Sequence, residues 1–158
     1  MREVKRIVDQ LKRAFEGEAW HGPSLMEILE SVTAEQAALR PFSDAHSIWE
    51  LVLHIEAWER AGLRRLGGDG ADLSDKEDWP TVVDTSEQAW KQTKKTLKEG
   101  HGAFQAAISK LDDSRLDQPV GDGRATVYGT LHGIIQHTLY HAGQIAILKK
   151  AIRKGEKT

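Results

Sequence analysis

Cysteine is absent from the chain of 158 residues. This absence excludes disulfide bonds, thiolate metal ligands and a cysteine nucleophile supplied by the protein itself. It is also typical of a cytoplasmic protein, which is the location we predict. Any metal ligand in this chain is therefore expected to be a histidine, an aspartate or a glutamate.

Long apolar runs and an excess of one charge are also missing. The 22 basic and 24 acidic residues are interspersed and give a formal net charge of -2. No uninterrupted apolar run approaches the ~20 residues that a membrane span needs, and the N-terminus leads into an amphipathic helix and not an apolar signal core. No basic stripe typical of a nucleic-acid-binding protein is present. We therefore expect a small-molecule substrate, with neither membrane nor nucleic acid as partner.

Helical periodicity is the main pattern that the chain does contain. Apolar residues three and four apart predict long amphipathic helices at about 1–17, 44–66, 84–110 and 125–153. A short helix is predicted at about 24–31, and a capping-box pattern predicts a further turn from Thr33. The polar loop from Gly67 to Thr81 is long for a helical bundle, and such loops are often functional. No segment favours a strand, so we predict an all-α four-helix bundle in one domain, 1–158, whose last few residues form a frayed tail.

Three of the seven histidines fall on inward faces of these helices. At about 100° per residue, His54 lies in the apolar sector of the second long helix, and His137 and His141 lie in that of the fourth. The i, i+4 spacing of the latter two points their side chains the same way. His46 and His132 fall on the outer sides. Burying a neutral imidazole without a partner costs a few kcal/mol, so the inward histidines need partners, either core hydrogen bonds or a shared metal.

Three imidazoles from two helices predict a divalent metal site with open coordination positions. Nitrogen ligands suit zinc, nickel, copper or ferrous iron, whereas magnesium and calcium prefer oxygen. Glu50, one turn before His54, and Gln144, one turn after His141, are the candidate catalytic groups beside the metal. The helical wheel does not establish that the two helices are neighbours.

The five tryptophans divide into three groups. Trp58 and Trp90 lie with inner-face apolar residues and are predicted to be core. Trp49 lies opposite the apolar stripe of its helix, where it could contact the short 24–31 helix or a second subunit. Trp20 and Trp79 lie in turns, where an aromatic side chain can line a pocket or cover the end of the bundle.

Two segments resemble the signatures of the DinB/YfiT-like family. His46–Ile55, which reads HSIWELVLHI, is similar to the second helix of that family, and His137–Ile145, which reads HTLYHAGQI, is similar to its fourth. The resemblance covers nearly the whole chain. It implies an up-and-down variant of the four-helix bundle, often a homodimer. It also implies a divalent metal, typically nickel or zinc, held by the histidines that match His54, His137 and His141.

The resemblance also suggests what the metal is for. Characterised relatives include enzymes that use low-molecular-weight thiols, such as bacillithiol S-transferases and mycothiol-dependent maleylpyruvate isomerase. We therefore expect a metal-dependent transferase that uses a low-molecular-weight thiol, whose thiolate would attack an electrophilic substrate. The alternatives are a metal-dependent hydrolase, with Glu50 as proton acceptor, and a non-catalytic binding protein that the metal stabilises.

Overall fold

The computed structural model describes residues 2–121 and 123–155 and confirms an all-α protein. Its helices are α1 Glu3–Phe15, α2 Leu25–Leu29, α3 Ala34–Ala38, α4 Ile48–Leu66, α5 Asp75–Asp78, α6 Glu87–Ser109 and α7 Val127–Gly155. A 3-10 turn at Asp113–Arg115 precedes a two-residue antiparallel pairing of β1 Pro119–Val120 with β2 Ala125–Thr126. The end of the predicted tail, 156–158, lies outside the described residues. No helix in the described part of the chain has the length and apolar character that crossing a bilayer requires.

Side-chain caps decide where several helices begin. The capping boxes that start at Ser24 and Thr33 confirm the two short helices expected there. The second long helix begins at residue 48 and not near 44 as predicted, because its cap is Ser47. The Ser47 side chain accepts a hydrogen bond from the Glu50 backbone, and the Glu50 carboxylate accepts one from the Ser47 backbone. His46 therefore precedes the helix and does not lie on its outer face.

The two middle long helices, α4 and α6, run parallel. Trp49 near the start of α4 contacts Thr93 near the start of α6, and Glu59 farther along α4 contacts His101 farther along α6. A connection between parallel helices must return along the whole bundle, and the 19 residues of α4 span about 28 Å. Residues 67–86 make this crossover, which explains a loop longer than the usual connection in a bundle. The short helix α5 within it was not predicted.

The outer long helices complete the bundle. His54 in the first half of α4 contacts His137 in α7, and Gly62 farther along α4 faces the earlier residue Ile134, so α4 and α7 run antiparallel. Helix α1 packs on α6 and α7. The order is up-down-down-up, a variant of the up-and-down arrangement, and the four-helix bundle is confirmed.

Helix α4 is buried on more than one side, because it packs on α6, on α7 and on α3. Trp49 is consequently 2% exposed, and its indole nitrogen donates to Thr93 at 3.0 Å. Trp49 lies opposite the predicted apolar stripe and is nevertheless buried, in the same core cluster as Leu25 and Leu29 of the short helix, because a single stripe does not describe a helix with several packed faces. Trp90 is fully buried as predicted, but Trp58 is only half-buried and borders a cavity.

Candidate metal centre

The three inward histidines converge between α4 and α7. His54, His137 and His141 each bring one ring nitrogen to within 4.8 Å of the others. Nε2 of His54 lies 2.9 Å from Nε2 of His137. His54 and His141 are buried and His137 is half-buried. The structure therefore brings together all three residues that were predicted as metal ligands.

The orientation of His54 is set by the crossover. Its Nδ1 lies 2.7 Å from the main-chain oxygen of Asp78 and 3.2 Å from a carboxylate oxygen of the same residue. A carbonyl oxygen only accepts hydrogen bonds, so Nδ1 must carry the hydrogen and donate it. This tautomer leaves the lone pair on Nε2, the nitrogen that faces the other histidines.

His141 is oriented in the same way from within its own helix. Its Nδ1 lies 2.7 Å from Oε1 of Gln144, one turn further along α7. With Nδ1 as the donor, Nε2 again keeps its lone pair for a ligand. Gln144 therefore contacts the cluster directly, as expected from its position one turn after His141.

Burial favours the neutral form of His137 and His141. It lowers the pKa of His137 to about 3, and the adjacent imidazoles of His141 and His54 add to the effect. Burial also lowers the pKa of His141, against the opposing effect of the Gln144 hydrogen bond. Nδ1 of His137 is a buried nitrogen without a partner among the described residues. Three converging imidazoles, of which His54 and His141 present an Nε2 lone pair, are a donor set that suits a divalent transition metal.

Aromatic rings from the crossover cover this cluster. Trp79 stacks on His54 with 3.9 Å between ring centroids and 6° between planes. His46 stacks against Trp79 at 3.6 Å. Trp58 donates from its indole nitrogen to the Asp78 carboxylate at 2.7 Å. The loop predicted at 67–81 thus reaches the site, although neither its contact with His54 nor the place of His46 was predicted.

Glu50, the other candidate catalytic residue, lies at the rim of the candidate metal centre, beside His46. Its carboxylate accepts the Ser47 backbone hydrogen bond at 2.7 Å, contacts the Arg40 guanidinium, and lies 3.9 Å from His46. Burial raises the pKa of Glu50, but the Ser47 hydrogen bonds and the charge of Arg40 outweigh it, so that this pKa is lowered. Within the described residues, the hydrogen bonds and ion pairs of Glu50 do not include the three clustered histidines.

A second buried polar pair was missed from the sequence. Glu59 and His101 are each 1% exposed, and Oε1 of Glu59 lies 3.0 Å from Nδ1 of His101. The His101 ring also stacks on Phe15 at 3.6 Å. The periodicity could have located His101, because it continues the inner stripe of Leu97, Phe104 and Ile108.

Two cavities lie near the cluster, one lined by His137 and the other by residues that contact the cluster or its cover. One of about 290 Å³ is bordered by His137 and Trp58. The other, of about 350 Å³, is bordered by His46 and Gln144 together with apolar side chains. Small-molecule sites usually occupy concave surfaces with a few polar groups, so both are candidate binding sites.

The fold and the cluster together define a four-helix-bundle protein with a three-histidine candidate metal centre. The chain belongs to the DinB superfamily, whose sequence model matches residues 19–145. Its fold is also that of a conserved protein from Enterococcus faecalis, with a TM-score of 0.71 at 15% identity over 98% of this chain and 99% of that one. No curated protein matches the chain. The resemblance drawn from the two histidine segments is thereby confirmed.

Proposed function

We propose that this protein is a metal-dependent transferase that uses nickel or zinc and a low-molecular-weight thiol. The observation that carries the proposal is the convergence of three imidazole nitrogens within 4.8 Å. Two of these imidazoles are held in the ligand tautomer by Asp78 and Gln144. A divalent metal bound there supplies Lewis acidity, which lowers the pKa of a thiol and so favours its thiolate form.

The protein's own residues have distinct roles in this proposal. His54, His137 and His141 hold the metal, and the Asp78 carbonyl and Gln144 orient two of them. Trp79 lies over His54 and excludes water from that side. The thiol is a co-substrate, because the chain has no cysteine of its own.

The two cavities support transfer in preference to hydrolysis. A transferase must hold two organic molecules near the metal, and one cavity is lined by His137 while a second is lined by Gln144, which contacts His141. Hydrolysis with Glu50 as proton acceptor has less support, because a carboxylate engaged by Ser47 and Arg40 and with a lowered pKa is a weak base.

The test is turnover of a model electrophile, such as 1-chloro-2,4-dinitrobenzene, by zinc- or nickel-loaded protein with a panel of small thiols. We expect turnover that requires thiol, is lost in His141→Ala and is retained in His132→Ala, a matched change outside the cluster on the same helix. Ester cleavage without thiol would favour the hydrolase. A metal-loaded protein that loses much of its thermal stability on chelation but turns over neither substrate would favour the non-catalytic alternative.

We further propose that the protein acts as a cytoplasmic homodimer. Phe42 and Ile147 are 52% and 63% exposed and border the same cavity, and Tyr140, which is 66% exposed, precedes Ile147 by seven residues on α7. Apolar side chains grouped at a surface are typical of subunit interfaces. The absence of cysteine supports the location. Sedimentation equilibrium tests the dimer, which a purely monomeric protein would contradict.

A further inference from the structure

The cavity on the His137 side runs along the groove between α4 and α7. It holds about 290 Å³ and includes Trp58 and Arg65 from α4. Gly129, Gly133 and His137 follow one another at four-residue steps on α7, so they share one face of that helix. The eight helical steps from Gly129 to His137 cover about 12 Å, so the cavity connects the candidate metal centre with Arg65.

Gly133 of α7 forms an open part of the wall of this cavity. A Cβ atom added at Gly133 would meet no atom within 4 Å, so the wall is open at that position. Glycine is unfavourable in the middle of a helix relative to alanine, by about 1 kcal/mol. Packing against a neighbouring side chain does not account for this exposed glycine, which leaves the rim of the cavity open.

Arg65 supplies the fixed positive charge of the cavity. It is the one arginine or lysine among the described residues that line it. The guanidinium lies 5.4 Å from the Trp58 ring centroid, and its side chain is 21% exposed. The contact with Trp58 holds the guanidinium at the wall of the cavity.

Most of the hydrogen-bonding capacity of Arg65 is unused. Within the described residues its acceptor is Asp72, at 3.2 Å from one terminal nitrogen. The same carboxylate also accepts a hydrogen bond from Arg124 at 2.9 Å. A guanidinium offers parallel N–H donors that match a carboxylate, and Arg65 keeps enough of them for one more anion.

We infer that this cavity binds a small organic carboxylate, with the carboxylate on Arg65, the body of the molecule against Trp58, and its reactive end at His137. A single arginine suits a monoanion better than a phosphate dianion. The position of the reactive end rests on the proposed function. The carboxylate contact does not, because it needs no metal.

The experiment measures binding of 3-phenylpropionate to the metal-free, full-length protein by NMR titration, with 3-phenylpropanamide as the neutral counterpart. We expect the carboxylate to bind about tenfold more tightly than the amide, because the neutral amide cannot form the bidentate ion pair that a carboxylate makes with arginine. Arg65→Gln should abolish that preference. Arg64→Gln is the matched control, because Arg64 pairs instead with Asp69 and Glu77, and it should leave the preference intact.

Gly133→Leu provides a second test that leaves the charge unchanged. Leucine favours the helix and should fill the open wall, so binding of both compounds should fall by about tenfold or more while the protein stays folded. If Arg65→Gln fails to fold, Gly133→Leu still tests whether the compounds bind in this cavity. Equal binding of acid and amide, or unchanged binding in Gly133→Leu, would overturn the inference. Tighter binding of benzylphosphonate than of 3-phenylpropionate would overturn the carboxylate assignment.

Metal content measured on the same preparations separates the two proposals. Carboxylate binding that depends on Arg65 in a protein that takes up no zinc or nickel would support the cavity and contradict the metal enzyme. A protein that binds metal but shows no Arg65-dependent preference for the carboxylate would support the metal centre and contradict the carboxylate site.

Discussion

The main-chain oxygen of Asp78 accepts a hydrogen bond from Nδ1 of His54 at 2.7 Å. The next residue, Trp79, stacks on the same imidazole. Both residues belong to the crossover that α4 and α6 need because they run parallel. The crossover that joins these two parallel helices therefore also orients the His54 imidazole of the candidate metal centre and covers one face of its ring.

Gln144 offers a direct test of ligand orientation. In the wild type, the hydrogen bond from His141 Nδ1 to Gln144 fixes the tautomer that has its lone pair on Nε2. Gln144→Leu removes the acceptor of this hydrogen bond. Loss of such a partner typically weakens metal affinity by about 10- to 100-fold, and we expect a loss in that range. Competition with a chelator of known affinity for zinc measures it. Gln144→Glu keeps an acceptor and should retain tight binding, and equal affinity in Gln144→Leu and wild type would show that this bond does not position His141.

The Glu59–His101 pair is expected to influence stability and not metal binding. Glu59→Leu leaves the buried His101 without its partner and should lower the free energy of unfolding by about 1–3 kcal/mol. Replacing both residues by leucine should restore most of that loss, because Oε2 of Glu59 and Nε2 of His101 have no partners among the described residues. Urea unfolding of the single and double variants measures the coupling. Additive losses in the double variant would contradict this account.

Gly62 and Gly133 both lie within long helices but differ in the space around their Cβ positions. A Cβ atom at Gly62 would lie 2.2 Å from Cδ1 of Ile134 and 3.1 Å from the Phe104 ring, so Gly62→Ala requires both side chains to shift. We expect it to cost about 1–3 kcal/mol through overpacking. Gly133→Ala meets no such obstacle and should stabilise the helix by about 0.5–1 kcal/mol. Denaturant unfolding measures both, and effects of the same sign would show that the close approach of α4 and α7 is not as described.

The histidine cluster makes the stability of the metal-free protein depend on pH. Burial lowers the pKa of His137 from 6.5 to about 3 in the folded protein, so between these two values the unfolded chain binds more protons than the folded one. The stability present above pH 6.5 should therefore fall as the pH drops through this window. Urea midpoints measured in EDTA at about pH 7 and about pH 4.5 check it. His137→Gln removes the titrating group and should lose less stability than wild type over the same interval, and equal losses would contradict the prediction.

The sequence predicted the regular parts of this protein better than the irregular ones. Helical periodicity located the long helices and selected His54, His137 and His141, because each projects from a helix at an angle that can be calculated. Asp78 and Trp79 could not be placed on His54 in the same way, because the crossover has no periodicity that defines their direction. His46 was assigned to a helix face, although the Ser47 cap leaves it before the helix.

Glu59 was not predicted as a buried residue for a different reason. A charged residue beside an apolar stripe is ordinarily solvated, and only the packing of α4 on both α6 and α7 buries this one. The parallel direction of α4 and α6 was equally inaccessible, since periodicity defines the face of a helix and not its direction in the bundle.

The metal content of untagged protein tests the central claim most directly. Elemental analysis after dialysis against zinc and nickel should find about one divalent metal ion per chain in the wild type and in His132→Ala, and almost none in His54→Ala. The absence of metal from the wild type, or an equal amount in His54→Ala, would show that the three histidines do not form a metal centre.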